Sequence, residues 1–333
     1  RATDAARQPG STFKILSTYG PALQAGEITL ATQIEDEPYN YADGTALKNS
    51  DDTYHGSVSI RESIQYSYNI PAVKVLTELT PQTGYQYLTQ LGFTTLDPES
   101  DVYQSLALGG ITNGVTNLEL TAAYAAVADG GNYTKPAFYT EVTDQEGNVL
   151  LENSQEEVRV FEESTAYLLT SAMESVVEEG TGTPFALYDM PVAGKTGTTN
   201  SYNDLVFAGY TPYYTAAVWA GFDTNQELPE EYRTFHQTLW TNVMNRIHED
   251  LPGKDFEQPD TVEEVTVCAE SGLLPGFGCD KITEYFAAST VPTTRCREHG
   301  LFSRPTPTPE ETPEPEEPEE KEDDDPWWWG WWN

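Results

Sequence analysis

Apolar positions recur at helical spacing over residues 11–26, with Ile15 and Leu16 on the apolar side and a kink expected at Pro21. Residues 58–67 and 71–79 predict two helices broken at Ser67–Asn69, with Pro71 in the first turn of the second. A third helix is predicted at 82–91, ending before Gly92, and a small-residue helix at 117–129, closed by Gly130-Gly131. Residues 162–178 are amphipathic and stop at Gly180-Thr181-Gly182. Alternation at 137–151, with a turn at Glu146-Gly147, predicts a hairpin. The period then changes. Residues 190–198, 203–211 and 213–222 read as three successive strands, followed by a helix at about 228–250. Helices first and an antiparallel meander late predict an α+β fold. The stretch 34–57, rich in Asp, Asn, Gly and Tyr, reads as a long surface loop. No internal repeat is present.

At 333 residues the chain can hold two domains. Three segments are expected: a main domain at 1–255, a small cysteine-containing module at 256–304, and an acidic Pro/Glu-rich disordered tail at 305–333 ending in a tryptophan cluster. The net charge of −37 argues against a nucleic-acid partner and against docking on anionic lipid. Residues 305–326 hold eleven acids and one lysine, so the rest of the chain is also acidic. No apolar run reaches the ~18 residues of a membrane-crossing helix. The first residue is Arg1, so no signal peptide can be read. Cys268, Cys279 and Cys296 are odd in number. A Cys268–Cys279 bridge or plain reduced thiols are expected. Cys296-x-x-His299 has plausible metal spacing, but without a Cys-x-x-Cys knuckle no metal site is expected.

Three short motifs can carry chemistry. Ser11-Thr12-Phe13-Lys14 places a hydroxyl and an amine on one helical face, so their tips can meet. A serine needs a nearby base, and lysine can serve if burial lowers its pKa. Alone, the tetrapeptide reads first as a helix cap followed by a surface lysine. Ser67-Tyr68-Asn69 supplies a hydroxyl and an amide at a helix break. The same tripeptide recurs at Ser201–Asn203 in a turn, so its position decides. Lys195-Thr196-Gly197-Thr198 offers a positive charge and hydroxyls for a carboxylate, and Gly197 lets another backbone approach. Ser11 and Ser67 are 56 residues apart, and Ser67 and Lys195 are 128 apart.

That ordered set is the one found in penicillin-binding proteins and class A β-lactamases. Further residues narrow it: 7–11, Gly109-Gly110, Gly114-Val115-Thr116, 118–128, Gly180-Thr181-Gly182, 194–200, Asp204, 209–212 and 219–223. Over about residues 1–304 the chain resembles the transpeptidase module of a class A (bifunctional) penicillin-binding protein. It departs at Asn117, where proline is usual.

The resemblance implies a serine D,D-transpeptidase that cross-links peptidoglycan stem peptides ending in D-Ala-D-Ala and is inhibited by β-lactams. Ser11 is then the nucleophile, Lys14 its base, and Ser67 the proton relay, aided by Lys195. Asn69 holds the substrate amide, and Lys195, Thr196, Gly197 and Thr198 hold the terminal carboxylate. The backbone N–H groups of Ser11 and Thr198 form the oxyanion hole. No cofactor is implied, and no histidine has a role. Cell-wall synthesis or division proteins are possible partners.

The resemblance also implies a five-stranded antiparallel sheet with helices on both faces. Its first two strands, a glycosyltransferase module and a membrane anchor on the extracytoplasmic side are expected upstream of Arg1. The strand at 213–222 is then expected to present an open edge. Other uses of these motifs are a D,D-carboxypeptidase, a β-lactamase or a β-lactam sensor. A class D enzyme usually has Ser-x-Val where Ser67-Tyr68-Asn69 stands, and Glu37 precedes the second motif, unlike a class A deacylating glutamate. A non-catalytic cell-wall binding protein is disfavoured by intact Ser11, Lys14 and Lys195.

Overall fold

The computed structural model describes residues 1–299; the tail and its tryptophan cluster lie outside them. The meander forms one antiparallel sheet of three strands, Ala193–Thr198, Asp204–Tyr210 and Thr215–Gly221, in that order. All seven residues of the central strand are buried, so it is apolar on both faces. Val206, Ala208 and Tyr210 face the main core, with helices α5 (Asn117–Ala128) and α6 (Glu163–Glu178). Phe207 faces the other way, onto helix α7 (Phe235–His248). There it stacks on Phe185 with centroids 3.7 Å apart and meets the edge of Trp240 at 4.9 Å. Such aromatic pairs add ~0.5–1.5 kcal/mol each beyond buried area. Helices thus cover both faces, as the family resemblance implies. Helix α7 starts later than predicted, because Pro229 and the short turn Glu230–Tyr232 take up the preceding residues.

No strand pairs with the outer side of Thr215–Gly221 among the described residues. A side chain answers part of that edge strand instead. Asn117 Nδ2 donates to Ala217 O, which faces that open side, at 2.9 Å. The short strand Ala6–Arg7 pairs with Val115–Thr116 rather than with the sheet. Asn117 opens α5 without a proline's fixed φ, and a capping box between Thr116 and Glu119 fixes the helix start.

The first helical run, residues 10–25, is enclosed by the core nearly throughout. Residues Lys14–Tyr19 form wider turns, in which Gly20 N–H reaches back to Ile15 O, before α1 (Gly20–Ala25) begins. Widening relieves the clash that the Pro21 ring makes with the carbonyl four residues earlier in an α-helix. Helices α2 (Ile60–Gln65), α3 (Asn69–Leu79) and α4 (Pro81–Gln90) follow the predicted order.

The stretch 34–57 is not a plain surface loop. Gln33–Asp36 pairs with Gly56–Ser59, and Tyr39–Asn40 with Ala46–Leu47. Its organising contact is polar and buried: both Asp36 carboxylate oxygens accept from Asn49 Nδ2. The hairpin at Glu141–Thr143 and Val149–Glu152 forms as predicted but is exposed. A pairing of Glu157–Arg159 with Asn132–Thr134 has no clear sequence signal.

Beyond residue 255 a second hairpin, Val262–Cys268 with Lys281–Ala287, carries the cysteine module. Arg61 of α2 clamps it by two bonds to the Glu284 carboxylate, at 2.7 and 2.6 Å, and also reaches Ser171 and Ser175 on α6. All three cysteines are free thiols, so the expected Cys268–Cys279 bridge is absent.

Candidate active site

A cleft of about 790 Å³ opens between the sheet and the first helices, lined by Ser11, Ser67, Asn69, Thr196, Thr198 and Tyr202, among others. The three sequence motifs therefore share one cavity. Ser11 sits in the tight turn Gly10–Thr12, whose first residue has φ +55, a left-handed value suited to glycine. Helical geometry then carries Lys14 inward, where it is wholly buried.

Lys14 Nζ donates to Ser67 O at 2.5 Å, to Asn69 Oδ1 at 2.7 Å and to Ser67 Oγ at 3.2 Å. Burial, and then the nearby Lys195, hold the Lys14 ammonium well below its usual pKa. No hydrogen bond joins Ser11 to Lys14 among the described residues. Ser67 has φ +60, unusual outside glycine, and this places its hydroxyl at the α2–α3 break.

The first strand of the sheet runs along the opposite wall. Thr199 N–H donates to Asp204 O across to the central strand. Alternation in an antiparallel ladder therefore turns Thr198 N–H away from that strand, toward the cleft. At Gly197 an added Cβ would lie 2.3 Å from Pro9 O, so only glycine lets the strand sit this close to the turn bearing Ser11. Thr196 Oγ1 lies 2.9 Å from Thr181 Oγ1, of the Gly-Thr-Gly after α6. Lys195 is buried, and burial pulls its pKa down to about 7. Its charge is therefore adjustable near neutrality, not fixed as the motif alone suggests.

Sequence reasoning missed the support beneath Asn69. Asn49 Oδ1 accepts from Asn69 N–H at 2.8 Å, and Asn69 Nδ2 donates to Lys48 O at 2.9 Å. Asn49 is in turn held by Asp36, which also bonds His55 Nδ1 at 2.7 Å. His55 stacks on Tyr68 at 4.0 Å, so this histidine braces the second motif from outside it. The other Ser-Tyr-Asn lies in a turn with Ser201 at φ +57 and Tyr202 at φ +52. Only its Tyr202 lines the cleft, under the Arg233 guanidinium at 3.8 Å.

The penicillin binding protein transpeptidase domain profile matches residues 1–248, and that of the penicillin-binding protein 1A C-terminal domain matches residues 258–301. Penicillin-binding protein 1A of Clostridium tetani is 34% identical over 327 residues, covering 91% of this chain and 41% of that protein. That of Clostridium perfringens is 32% identical over 310 residues, covering 87% and 37%. The chain thus spans about two fifths of the length of these curated relatives. The crystal structure of penicillin-binding protein 1A from Haemophilus influenzae superposes with a TM-score of 0.78 at 26% identity, covering 89% of this chain and 50% of that one. The PonA1 protein of Mycobacterium tuberculosis in complex with penicillin V shares the fold, with a TM-score of 0.68 at 24% identity, covering 77% and 73%. The chain belongs to the penicillin-binding protein transpeptidase family.

Proposed function

We propose that this member of the penicillin-binding protein transpeptidase family is a D,D-transpeptidase that cross-links peptidoglycan stem peptides through a serine acyl-enzyme. The observation that carries the reading is Lys14: buried, depressed in pKa, and joined to both Ser67 and Asn69. A neutral amine there takes the Ser11 proton as Oγ attacks the carbonyl between two D-alanines. Ser67 Oγ, beside Lys14 Nζ, passes that proton to the leaving D-alanine nitrogen. The N–H groups of Ser11 and Thr198 receive the negative charge on the carbonyl oxygen, worth ~2.7–4 kcal/mol per donor. Thr196, Thr198 and protonated Lys195 hold the terminal carboxylate. Gly197 lets them approach, and Asn69 orients the stem-peptide amide.

An amine from a second stem peptide then attacks the acyl carbon, and the proton it gives up passes through Lys14 to Ser11 Oγ as the ester bond breaks. Water in place of that amine gives carboxypeptidase turnover. β-Lactams enter as mimics of the D-Ala-D-Ala end and stay bound as esters of Ser11. The parent protein carries a glycosyltransferase module and a membrane anchor outside this chain and works on the extracytoplasmic face of the membrane. Cell-wall synthesis or division proteins are its expected partners.

Labelling with a fluorescent penicillin tests the reading. One label should map to the peptide containing Ser11, and Ser11→Ala should abolish it with the circular dichroism spectrum unchanged. Persistent labelling of that variant overturns the assignment. An acyl-enzyme that clears within seconds would make the chain a β-lactamase.

A further inference from the structure

Four side chains far from the cleft converge on one point. The metal-binding atoms of Cys268, Cys279, Cys296 and His299 all lie within 4.8 Å of one another. We propose that they bind one structural Zn²⁺ ion, which closes the C-terminal module.

The distances carry the proposal. His299 Nδ1 lies 3.5, 3.4 and 3.4 Å from the sulfurs of Cys268, Cys279 and Cys296. One ring nitrogen has a single proton or a single lone pair, so it cannot serve three thiols by hydrogen bonding. Three near-equal distances are what a tetrahedral ion imposes. With Zn–S of ~2.3 Å and Zn–N of ~2.0–2.1 Å, the N···S edges of a regular tetrahedron are ~3.5–3.6 Å. A disulfide would instead bring two sulfurs to ~2.0 Å, and all three thiols are free.

The surroundings fit an ion as well. His299 Nε2 lies 2.7 Å from Glu270 Oε2. A carboxylate on the far nitrogen fixes the ring and leaves Nδ1 free to ligate. Gly276 N–H donates to Cys279 Sγ at 3.2 Å, which favours a thiolate. Three sulfurs and one imidazole select zinc over magnesium or calcium. Four protein ligands leave no open position, so the role is structural rather than catalytic.

The module also needs a staple. Its own buried cluster is small: Val267 and Phe286 against Ala31 of the main domain. Small units with little core are commonly held by disulfides or a metal. Here the ligands join the end of one hairpin strand, the turn before the next, and residues 296–299.

The test uses the full chain, expressed with zinc in the medium and dialysed into metal-free buffer. Elemental analysis should find one zinc per chain. Cobalt exchanged into the site should show the intense visible bands of tetrahedral thiolate coordination. Cys296→Ser and His299→Ala should each lose the metal, and Glu270→Gln should weaken its affinity about 10–100-fold. A chelator should lower the melting temperature of the wild-type chain, but not that of Cys296→Ser. A metal-free wild-type chain overturns the proposal even if every variant misfolds. So does an intact mass two hydrogens light with one titratable thiol, or full zinc retention by Cys296→Ser.

Discussion

Asn49 holds Asn69 in place: its Oδ1 accepts the Asn69 backbone N–H at 2.8 Å, while its Nδ2 donates to both oxygens of buried Asp36. Through that pair, a segment of mostly polar sequence sets the position of a motif residue that touches Lys14. Asn49→Ala should leave Asn69 N–H without its acceptor and Asp36 short of a donor. Such loss costs ~1–3 kcal/mol. Acylation by a penicillin should slow about tenfold, as a ~1.4 kcal/mol misplacement of Asn69 would give. Thermal unfolding and acylation kinetics on the same protein check both. Unchanged acylation would show that Asn69 needs no support from this loop.

The two Ser-Tyr-Asn copies should separate in kinetics. Asn69 Oδ1 accepts from Lys14 Nζ at 2.7 Å, so Asn69→Ala should slow acylation on the order of 10²-fold, the scale of losing one well-placed catalytic hydrogen bond. Asn203 lies in the turn before the central strand, and Asn203→Ala should change the rate by roughly a factor of two or less. Stopped-flow acylation of both variants decides. Equal effects would mean that the second motif has been placed at the wrong copy.

These contacts explain what could be read in advance. The helices that bury Phe13, Leu76 and Leu169 show the 3.6-residue period, and the central strand shows a continuous apolar run, so their types were legible. Ser67 and Asn69 stood out because helices flank them, which no helix does for Ser201. Asp36 and Asn49 gave no such signal. Their order comes from a buried hydrogen-bonded pair thirteen residues apart, and polar residues in a turn-rich stretch look the same whether buried or solvated. The set of His299 and the three cysteines was only partly legible: Cys296-x-x-His299 has metal spacing, but nothing in sequence ties Cys268 and Cys279 to it. Their separations contain no Cys-x-x-Cys knuckle: the paired hairpin sets Cys268 near Cys279, and backbone bonds between Leu274 and residues 294–296 bring in Cys296. Pro21 marked a change in the helix, and the turns just before it are widened, which answers the donor the proline lacks.

Lys195 should make carboxylate recognition pH-dependent. Burial sets its pKa at about 7, so in the free enzyme its charge is present below that pH and lost above it. The second-order acylation rate for a carboxylate-bearing penicillin should therefore fall on the alkaline side of about pH 7. An arginine stays charged throughout. Lys195→Arg should be slower at neutral pH but lack the alkaline limb. Retention of that limb in the variant would assign it to another group.

Glu174 on α6 should cost stability at high pH. Burial first, then Glu178, raises its pKa to about 7, above its unfolded value. The folded chain then holds a proton that the unfolded chain releases, so stability falls as pH rises between the two values. Below the unfolded pKa both states are protonated and the group contributes no difference. Glu174→Gln should melt about 2–4 °C higher than the wild type at pH 8, the shift of ~1 kcal/mol in a domain of this size. At pH 4 the two should melt together. A gain of equal size at both pH values would point to packing rather than to the carboxyl group.

Gly197 should be intolerant of even one added methyl group. A Cβ there would meet the Pro9 carbonyl oxygen at 2.3 Å and the Thr12 methyl at 3.2 Å. The first contact is with backbone, so no side chain can swing away. Either the strand Ala193–Thr198 retreats or the turn bearing Ser11 shifts. Both movements separate Ser11 from Thr198 N–H, the two donors of the proposed oxyanion hole. Overpacking of this kind costs ~1–3 kcal/mol of stability, and a displacement near 1 Å costs about 10²-fold in rate. Gly197→Ala should thus remain folded at room temperature yet acylate about 10²-fold more slowly. Gly253 provides the control, since its added Cβ would have nothing nearer than Asp189 O at 3.7 Å. Gly253→Ala should acylate like the wild type. A Gly197→Ala chain that acylates as fast as that control would show that strand and turn can separate without loss, and the close approach would then have no catalytic purpose.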